Sequence, residues 1–112
     1  MITDEQRIGH ILAAIARIRE TACGKEEFLQ SVLEQDAVSY NFLIIGEAAG
    51  RVSEKVRDSH PEIPWRVMAG MRNVLIHDYV QTDYSLVWET IQKDLPPLQP
   101  LLRQLQSELK MK

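Results

Sequence analysis

Apolar residues recur at steps of three and four along nearly the whole chain, and that period admits one kind of element. Side chains three and four apart share a face of an α-helix, whereas a half-buried strand needs strict alternation. No stretch alternates β-branched and polar residues long enough to make a strand. The pattern predicts an all-α fold, a four- or five-helix bundle.

The first helix is predicted to start after Thr3, whose hydroxyl can cap it while Gln6 reaches back, and to bury Ile8, Ile11, Leu12, Ile15 and Ile18. Gly24 is read as its stop. A short helical piece over about residues 25–33 leads to a long helix over about 36–59. Its Val38, Phe42, Ile45, Ala49, Val52 and Val56 form a seam of the kind that holds bundles together. Gly46, Ala48, Ala49 and Gly50 are small, and glycine costs about 1 kcal/mol against alanine in a helix, so the sequence implies a closely approaching neighbour. His60-Pro61-Glu62-Ile63-Pro64 is a breaker, with Pro64 suited to the first turn of the next helix. That helix, about 64–77, sets Trp65, Met68 and Leu75 on one flank and Val67, Met71 and Val74 on the other. After a loop over 80–83, Asp83 can cap a final helix carrying Ile91, Leu95, Leu98, Leu102, Leu105 and Leu109, kinked or broken by Pro96, Pro97 and Pro100.

With 112 residues and no linker or repeat, the chain is expected to form one domain over 1–112, of a size that often gains stability by oligomerising. The acidic N-terminus lacks the pattern of a signal peptide. The longest greasy stretch, 42–49, contains Glu47 and falls far short of the roughly 20 apolar residues that cross a bilayer. Cys23 is the only cysteine, which rules out an intrachain disulfide and argues against a cysteine-based zinc site. A cytoplasmic location is the expectation, with no membrane partner. The net charge of −3 means that any attraction to nucleic acid must come from a local positive patch.

Reactive side chains concentrate in one segment, Arg72-Asn73-Val74-Leu75-Ile76-His77-Asp78-Tyr79. It holds a guanidinium that keeps its charge, a carboxamide, an imidazole that titrates near neutrality and a phenol, together suited to gripping and attacking a phosphodiester. At about 100° per residue, Asn73 and His77 share a helix face while Arg72 stands about 140° from His77. One straight helix does not focus these groups on one ligand. Either the helix frays near His77, or a two-fold partner supplies a facing copy, which points to a dimer. Structural readings stand beside the chemical one: Arg72 paired with a carboxylate, His77 suited to a helix C-terminus, and Tyr79 a half-buried anchor.

Arg51, Lys55, Arg66 and Arg7 are candidates for the positive rim an RNA needs, Arg51 and Lys55 sharing a helix face. Glu47 can pair with Arg51 four residues on or with Arg72 across the bundle, and the local pair is favoured. His10 reads as a surface or interface residue and His60 as structural. Tyr40, Tyr84, Trp65 and Trp88 can stack on bases, although aromatics in a small bundle more often fill its core. No carboxylates are paired at metal-ligand spacing, and neither a metal site nor a cofactor is expected.

The succession Ile45-Gly46-Glu47-Ala48, His60-Pro61-Glu62-Ile63-Pro64-Trp65, Gly70-Met71-Arg72-Asn73 with His77-Asp78-Tyr79, then Asp83-Tyr84 and Val87-Trp88, resembles the HepT-like group of HEPN-domain proteins. The resemblance covers about residues 4–105. It implies a HEPN-like helical fold forming a two-fold dimer, and a metal-independent ribonuclease toxin of a type VII-like toxin-antitoxin pair acting on tRNA or mRNA. Its partner would be a minimal nucleotidyltransferase (MntA-like) antitoxin. By the same resemblance Arg72 and His77 form the ribonuclease centre, Asn73 matches the polar residue that often follows the arginine, and Tyr79 matches the acceptor to which the antitoxin transfers AMP. Val80 and Gln81 depart from the aromatic residue and glycine common just after the tyrosine, which bears on the shape of the loop and on substrate preference. A non-catalytic helical dimer that binds a nucleotidyltransferase or a nucleotide is the alternative, consistent with the net acidity.

Overall fold

Thr3 and Gln6 form the capping box that starts the molecule: the Gln6 amide donates to Thr3 Oγ1 at 3.1 Å and the Thr3 amide to Gln6 Oε1 at 2.9 Å. Helix α1 (Asp4–Thr21) then buries Ile8, Ile11, Ala14, Ile15 and Ile18, with Leu12 half-buried beside them. The computed structural model describes residues 1–73 and 82–112, and every described element is helical.

Gly24 does not end α1. The helix closes at Ala22, whose amide donates to the Ile18 carbonyl, and Gly24 instead caps the start of α2 (Lys25–Gln30) in extended backbone. Ser31 stops α2 and starts α3 (Val32–Arg51), its hydroxyl accepting from the Glu34 amide at 3.1 Å. The long helix therefore begins ahead of the expected residue 36, and it ends well before 59. At Val52 and Ser53 the chain turns, and Ser53 caps α4 (Glu54–Ser59). Asp4 fixes this turn, accepting from the Ser53 amide at 3.0 Å and from its hydroxyl at 2.7 Å.

Beyond the proline breaker, Pro64 caps α5 (Trp65–Gly70) rather than lying within its first turn. Trp65 and Met68 are buried and Met71 just beyond is too, but Val67 is 60% exposed, so the second apolar flank expected on this helix is not formed by Val67. Leu75 and Val74 lie outside the described residues. Asp83 caps α6 (Tyr84–Lys93) through the amides of Ser85 and Leu86, as its position implied. The expected final helix breaks at Asp94. Pro96 and Pro97 sit in the first turn of α7 (Leu95–Lys110), where their missing N–H groups cost nothing, and Pro100 is accommodated inside the helix. Because two expected helices are each split, the described residues contain seven helical segments rather than four or five, and the fold they form is all-α.

The core runs between α1 and α3, with α7 against the other side of α1 and α5 laid across α3. Val38, Phe42, Ile45, Ala49 and Val52 are buried along the seam and Val56 partly so. Buried polar groups are tied between helices: Arg17 donates to Asn41 at 2.9 Å, and Arg19 reaches Gln99. Phe28 meets Tyr84 edge-on at 5.8 Å and Trp88 at 5.9 Å, so these rings and Trp65 serve the interior, whereas Tyr40 is exposed. No described helix is long and apolar enough to cross a membrane.

His60 joins the breaker to the last helix. Its Nδ1 faces the Val56 carbonyl at 2.9 Å and its Nε2 faces Glu108 at 2.8 Å, while Trp65 Nε1 donates to the His60 carbonyl at 3.0 Å. Both ring nitrogens meet acceptors, which only an imidazolium satisfies as donor twice over. Glu108 first, then the Val56 carbonyl, raise its pKa above the ordinary 6.5, against the opposing effect of burial. A raised pKa means that the stabilisation is complete below 6.5 and is lost as pH rises through the folded-state value. The urea midpoint should therefore fall between mildly acid and alkaline pH, and the fall should be smaller in Glu108→Gln; equal falls in both proteins would refute the clamp.

A second expectation concerns the crossing of α3 and α5. A Cβ at Gly46 would stand 2.7 Å from both Cβ and the backbone nitrogen of Arg72, and 3.0 Å from the Ala69 carbonyl oxygen. Gly46→Ala should cost about 1–3 kcal/mol, the usual penalty for overpacking a tight contact, measured by equilibrium urea unfolding. An unchanged midpoint would show that the helices can separate freely.

Candidate functional site

The C-terminal half of α3 presents Gly46, Glu47, Gly50 and Arg51 to α5 and the two residues that follow its end turn, Arg72 and Asn73. Because Gly46 has no side chain, the backbone of Arg72 rests directly on α3. The next residue along α3 then meets the arginine: Arg72 Nη1 donates to Glu47 Oε1 at 2.7 Å. Arg51 Nε approaches the other oxygen of the same carboxylate at 3.5 Å. The local pair favoured from sequence is thus the longer of two contacts, and the cross-helix pair is the tight one. A partner 25 positions away leaves no trace in a local pattern.

The Arg72 hydrogen bond above all holds the Glu47 carboxyl below its ordinary pKa, with Arg51 adding to the effect and desolvation opposing it. Glu47 is therefore an anion and only an acceptor at neutral pH. Arg72 is 48% and Glu47 42% exposed, so water screens the pair and its value lies in orientation more than in stability.

These residues border an open groove of about 570 Å³, a volume in the range of small-ligand sites. Among the described residues its walls carry Arg51, Arg66, Arg72 and Asn73, its floor is Gly46, Gly50, Ala69 and Gly70, and Glu47 is its one carboxylate. Three guanidinium groups against one carboxylate make a local positive field on a chain of negative net charge. Chemically the groove suits an anion, and the arginine fork suits a phosphate.

Four of the residues singled out from sequence, Arg51, Arg66, Arg72 and Asn73, are thus brought together. Lys55 does not line this groove: the turn at Val52 and Ser53 interrupts the helix face it was expected to share with Arg51. Arg7 and the exposed His10 border a neighbouring groove with Tyr40, reached through Glu47 and Arg51. His77 and Tyr79 lie outside the described residues, as does Asp78. Cys23 is an exposed free thiol, and no cluster of three or more potential metal ligands occurs among the described residues. Gly50 and Gly70 were not recognised as part of the site. The only sequence signal for them was the unusual density of small residues in 46–50 and the glycine two residues before Arg72.

Comparison with known proteins places this geometry in context. Residues 11–105 match the model of the family described as "Ribonuclease HepT-like". A protein of Caldanaerobacter subterraneus subsp. tengcongensis named "Putative RNase TTE0752" is 33% identical over 94% of this chain and 96% of its own length. "Probable ribonuclease HepT" of Thermococcus cleftensis is 44% identical over 65% of this chain and 66% of its own. A Methanocaldococcus jannaschii protein named "Gamma-glutamylcyclotransferase and putative RNase MJ0434" is 38% identical over 91% of this chain, which spans about half of that relative's length, 47%. No solved structure matches.

The electrostatics of the groove can be tested without any assumption about its ligand. Glu47→Gln removes the groove's one carboxylate among the described residues, and the affinity for pyrophosphate should rise about three- to tenfold, as expected for deleting a screened like charge beside the anion. A larger thermal shift on pyrophosphate titration would register it. Equal or weaker binding would mean that Glu47 does not oppose anions there.

Proposed function

The chain belongs to the ribonuclease HepT-like family, and on that premise we propose that it is a metal-independent ribonuclease toxin cleaving tRNA or mRNA at a centre formed by Arg72 and His77. The observation that carries this reading is the position of Arg72, half-exposed at the wall of a groove that it shares with Arg51, Arg66 and Asn73.

Cleavage of RNA by its own 2′-hydroxyl needs three things: a base to take the hydroxyl proton, an acid to protonate the departing 5′-oxygen, and positive charge on the crowded phosphate. The 2′-oxygen bonds to phosphorus as the bond to the 5′-oxygen breaks, leaving a cyclic phosphate and a free 5′-hydroxyl. Arg72 holds two phosphate oxygens through its fork, exchanging the Glu47 carboxylate for the substrate. His77 moves a proton, and Asn73 orients the imidazole or the phosphate. One imidazole cannot serve as base and acid at once, so a two-fold homodimer that brings His77 from each protomer to one cleft supplies the second role. The three side chains named do this chemistry with no metal.

Regulation belongs to the same proposal. A nucleotidyltransferase antitoxin transfers AMP from ATP to the Tyr79 oxygen with release of pyrophosphate, and the added bulk and negative charge then compete with RNA phosphate. An internal ion pair for Arg72 was also the expectation of a purely structural module, and the Glu47 contact meets half of that condition. The exposure of Arg72 on an arginine-lined groove favours the catalytic reading.

His77→Ala should lower cleavage of an RNA panel by about 10²- to 10⁴-fold, the usual worth of a positioned acid-base group, Arg72→Ala by about 10²- to 10³-fold, that of a group stabilising transition-state charge, and both should relieve growth arrest on expression without the antitoxin. Cleavage unaffected by both substitutions would refute the assignment. Incubation with ATP and the antitoxin should add an AMP mass that Tyr79→Phe abolishes.

A further inference from the structure

Two features of the groove are left over once Arg72 has been given the phosphate to be cut. The first is charge. Arg66 makes no ion pair or hydrogen bond among the described residues, and Arg51 holds Glu47 only at 3.5 Å, the limit of a hydrogen bond, on an exposed face. Two further guanidinium groups therefore stand over the same space with little to occupy them.

The second is the absence of side chains from the floor. Gly46 is explained by the crossing of α3 and α5, because a Cβ there would collide with Arg72. Gly50 and Gly70 are not: a Cβ at either would meet nothing within 4 Å, and neither has positive φ. Each occupies a helical position where alanine is favoured by up to about 1 kcal/mol. No packing or conformational demand from the described residues offsets that cost, yet both line the groove between the arginines. Glycines so placed let a ligand come down onto the helix backbone.

Building on the proposed function, we propose that Arg51 and Arg66 form a second phosphate subsite beside Arg72, over the floor made by Gly50 and Gly70. Its ligand is the phosphodiester adjoining the one to be cut, in single-stranded RNA. Three arginines then track the sugar-phosphate backbone in the manner of channels that bind single strands, with Glu47 setting apart the guanidinium of the reacting phosphate from the two that grip. The enzyme would accordingly select for a run of flexible RNA long enough to place consecutive phosphates in the groove, and a lone phosphodiester would be held by Arg72 without this second grip.

The test is binding, separated from cleavage by working in His77→Ala protein. A short fluorescein-labelled single-stranded RNA is titrated at a series of salt concentrations. Arg51→Ala and Arg66→Ala should each weaken binding about three- to tenfold and reduce the log–log salt slope by about 0.7 to 1, the loss of one phosphate contact. Lys25→Ala, the same change in net charge at the start of α2 and outside the groove, should leave both unchanged. Gly50→Ala should weaken binding without lowering the unfolding midpoint, which separates an obstructed floor from a damaged fold. Arginine variants that bind no worse than Lys25→Ala, with the wild-type salt slope, would overturn the subsite while leaving the ribonuclease proposal standing. Wild-type protein that binds RNA through these arginines but cuts none would do the reverse.

Discussion

The contact on which the site depends is the seating of Arg72 against Gly46. With no side chain at 46, α5 and its end turn lie flush on α3, and a Cβ there would overlap the arginine backbone at 2.7 Å. The close crossing sets the positions of the charged groups around it. Glu47 comes within 2.7 Å of the guanidinium, Arg51 one turn later shares the same carboxylate, and the space beyond the contact opens between Gly50 and Gly70. Helix α1 backs α3 along its buried face, and Asp4 pins the turn at Ser53 where α3 gives way to α4. The rigid part of the bundle thus supports the end of α3 that carries the groove.

Electrostatics shows how an acidic chain can take up a polyanion. The net charge of −3 is a property of the whole surface, whereas affinity for phosphate depends on charges within about a Debye length, roughly 8–10 Å at ordinary ionic strength. Inside the groove three guanidinium groups outnumber one carboxylate among the described residues. Glu47 lowers that excess and holds the Arg72 guanidinium in place at once, so it exchanges some anion affinity for a defined geometry of that arginine.

Much of this was legible in the sequence, and the parts that were not share a cause. The capping box at Thr3, the cap at Asp83, the buried seam of α3 and the contacts of His60 with Val56 and Trp65 obey local rules, and each is found. The turn at Val52 and Ser53 is hidden because the apolar period continues across it: Val52 stays in the core and Val56 packs against it while the backbone changes direction. The break expected between 33 and 36 lies a few residues earlier, at Ser31. Gly24 resembles a stop because glycine favours helix C-termini, but it is also tolerated as an N-cap, its place here at the start of α2. Glu47 was given to Arg51 because a partner four residues on is visible locally, whereas Arg72 comes within reach only through the crossing at Gly46. Resemblance to a family supplied what no period or cap could, the roles proposed for Arg72, His77 and Tyr79, the last two lying outside the described residues.

The central claim is that RNA phosphate replaces Glu47 as the partner of Arg72 in the groove between α3 and α5. The most direct measurement is a crystal structure of His77→Ala protein with a single-stranded RNA bound. The account predicts a phosphate oxygen within about 3 Å of the Arg72 guanidinium, with the RNA backbone running over Gly50 and Gly70. RNA bound on another face, with the Arg72–Glu47 pair intact and the groove empty, would contradict it.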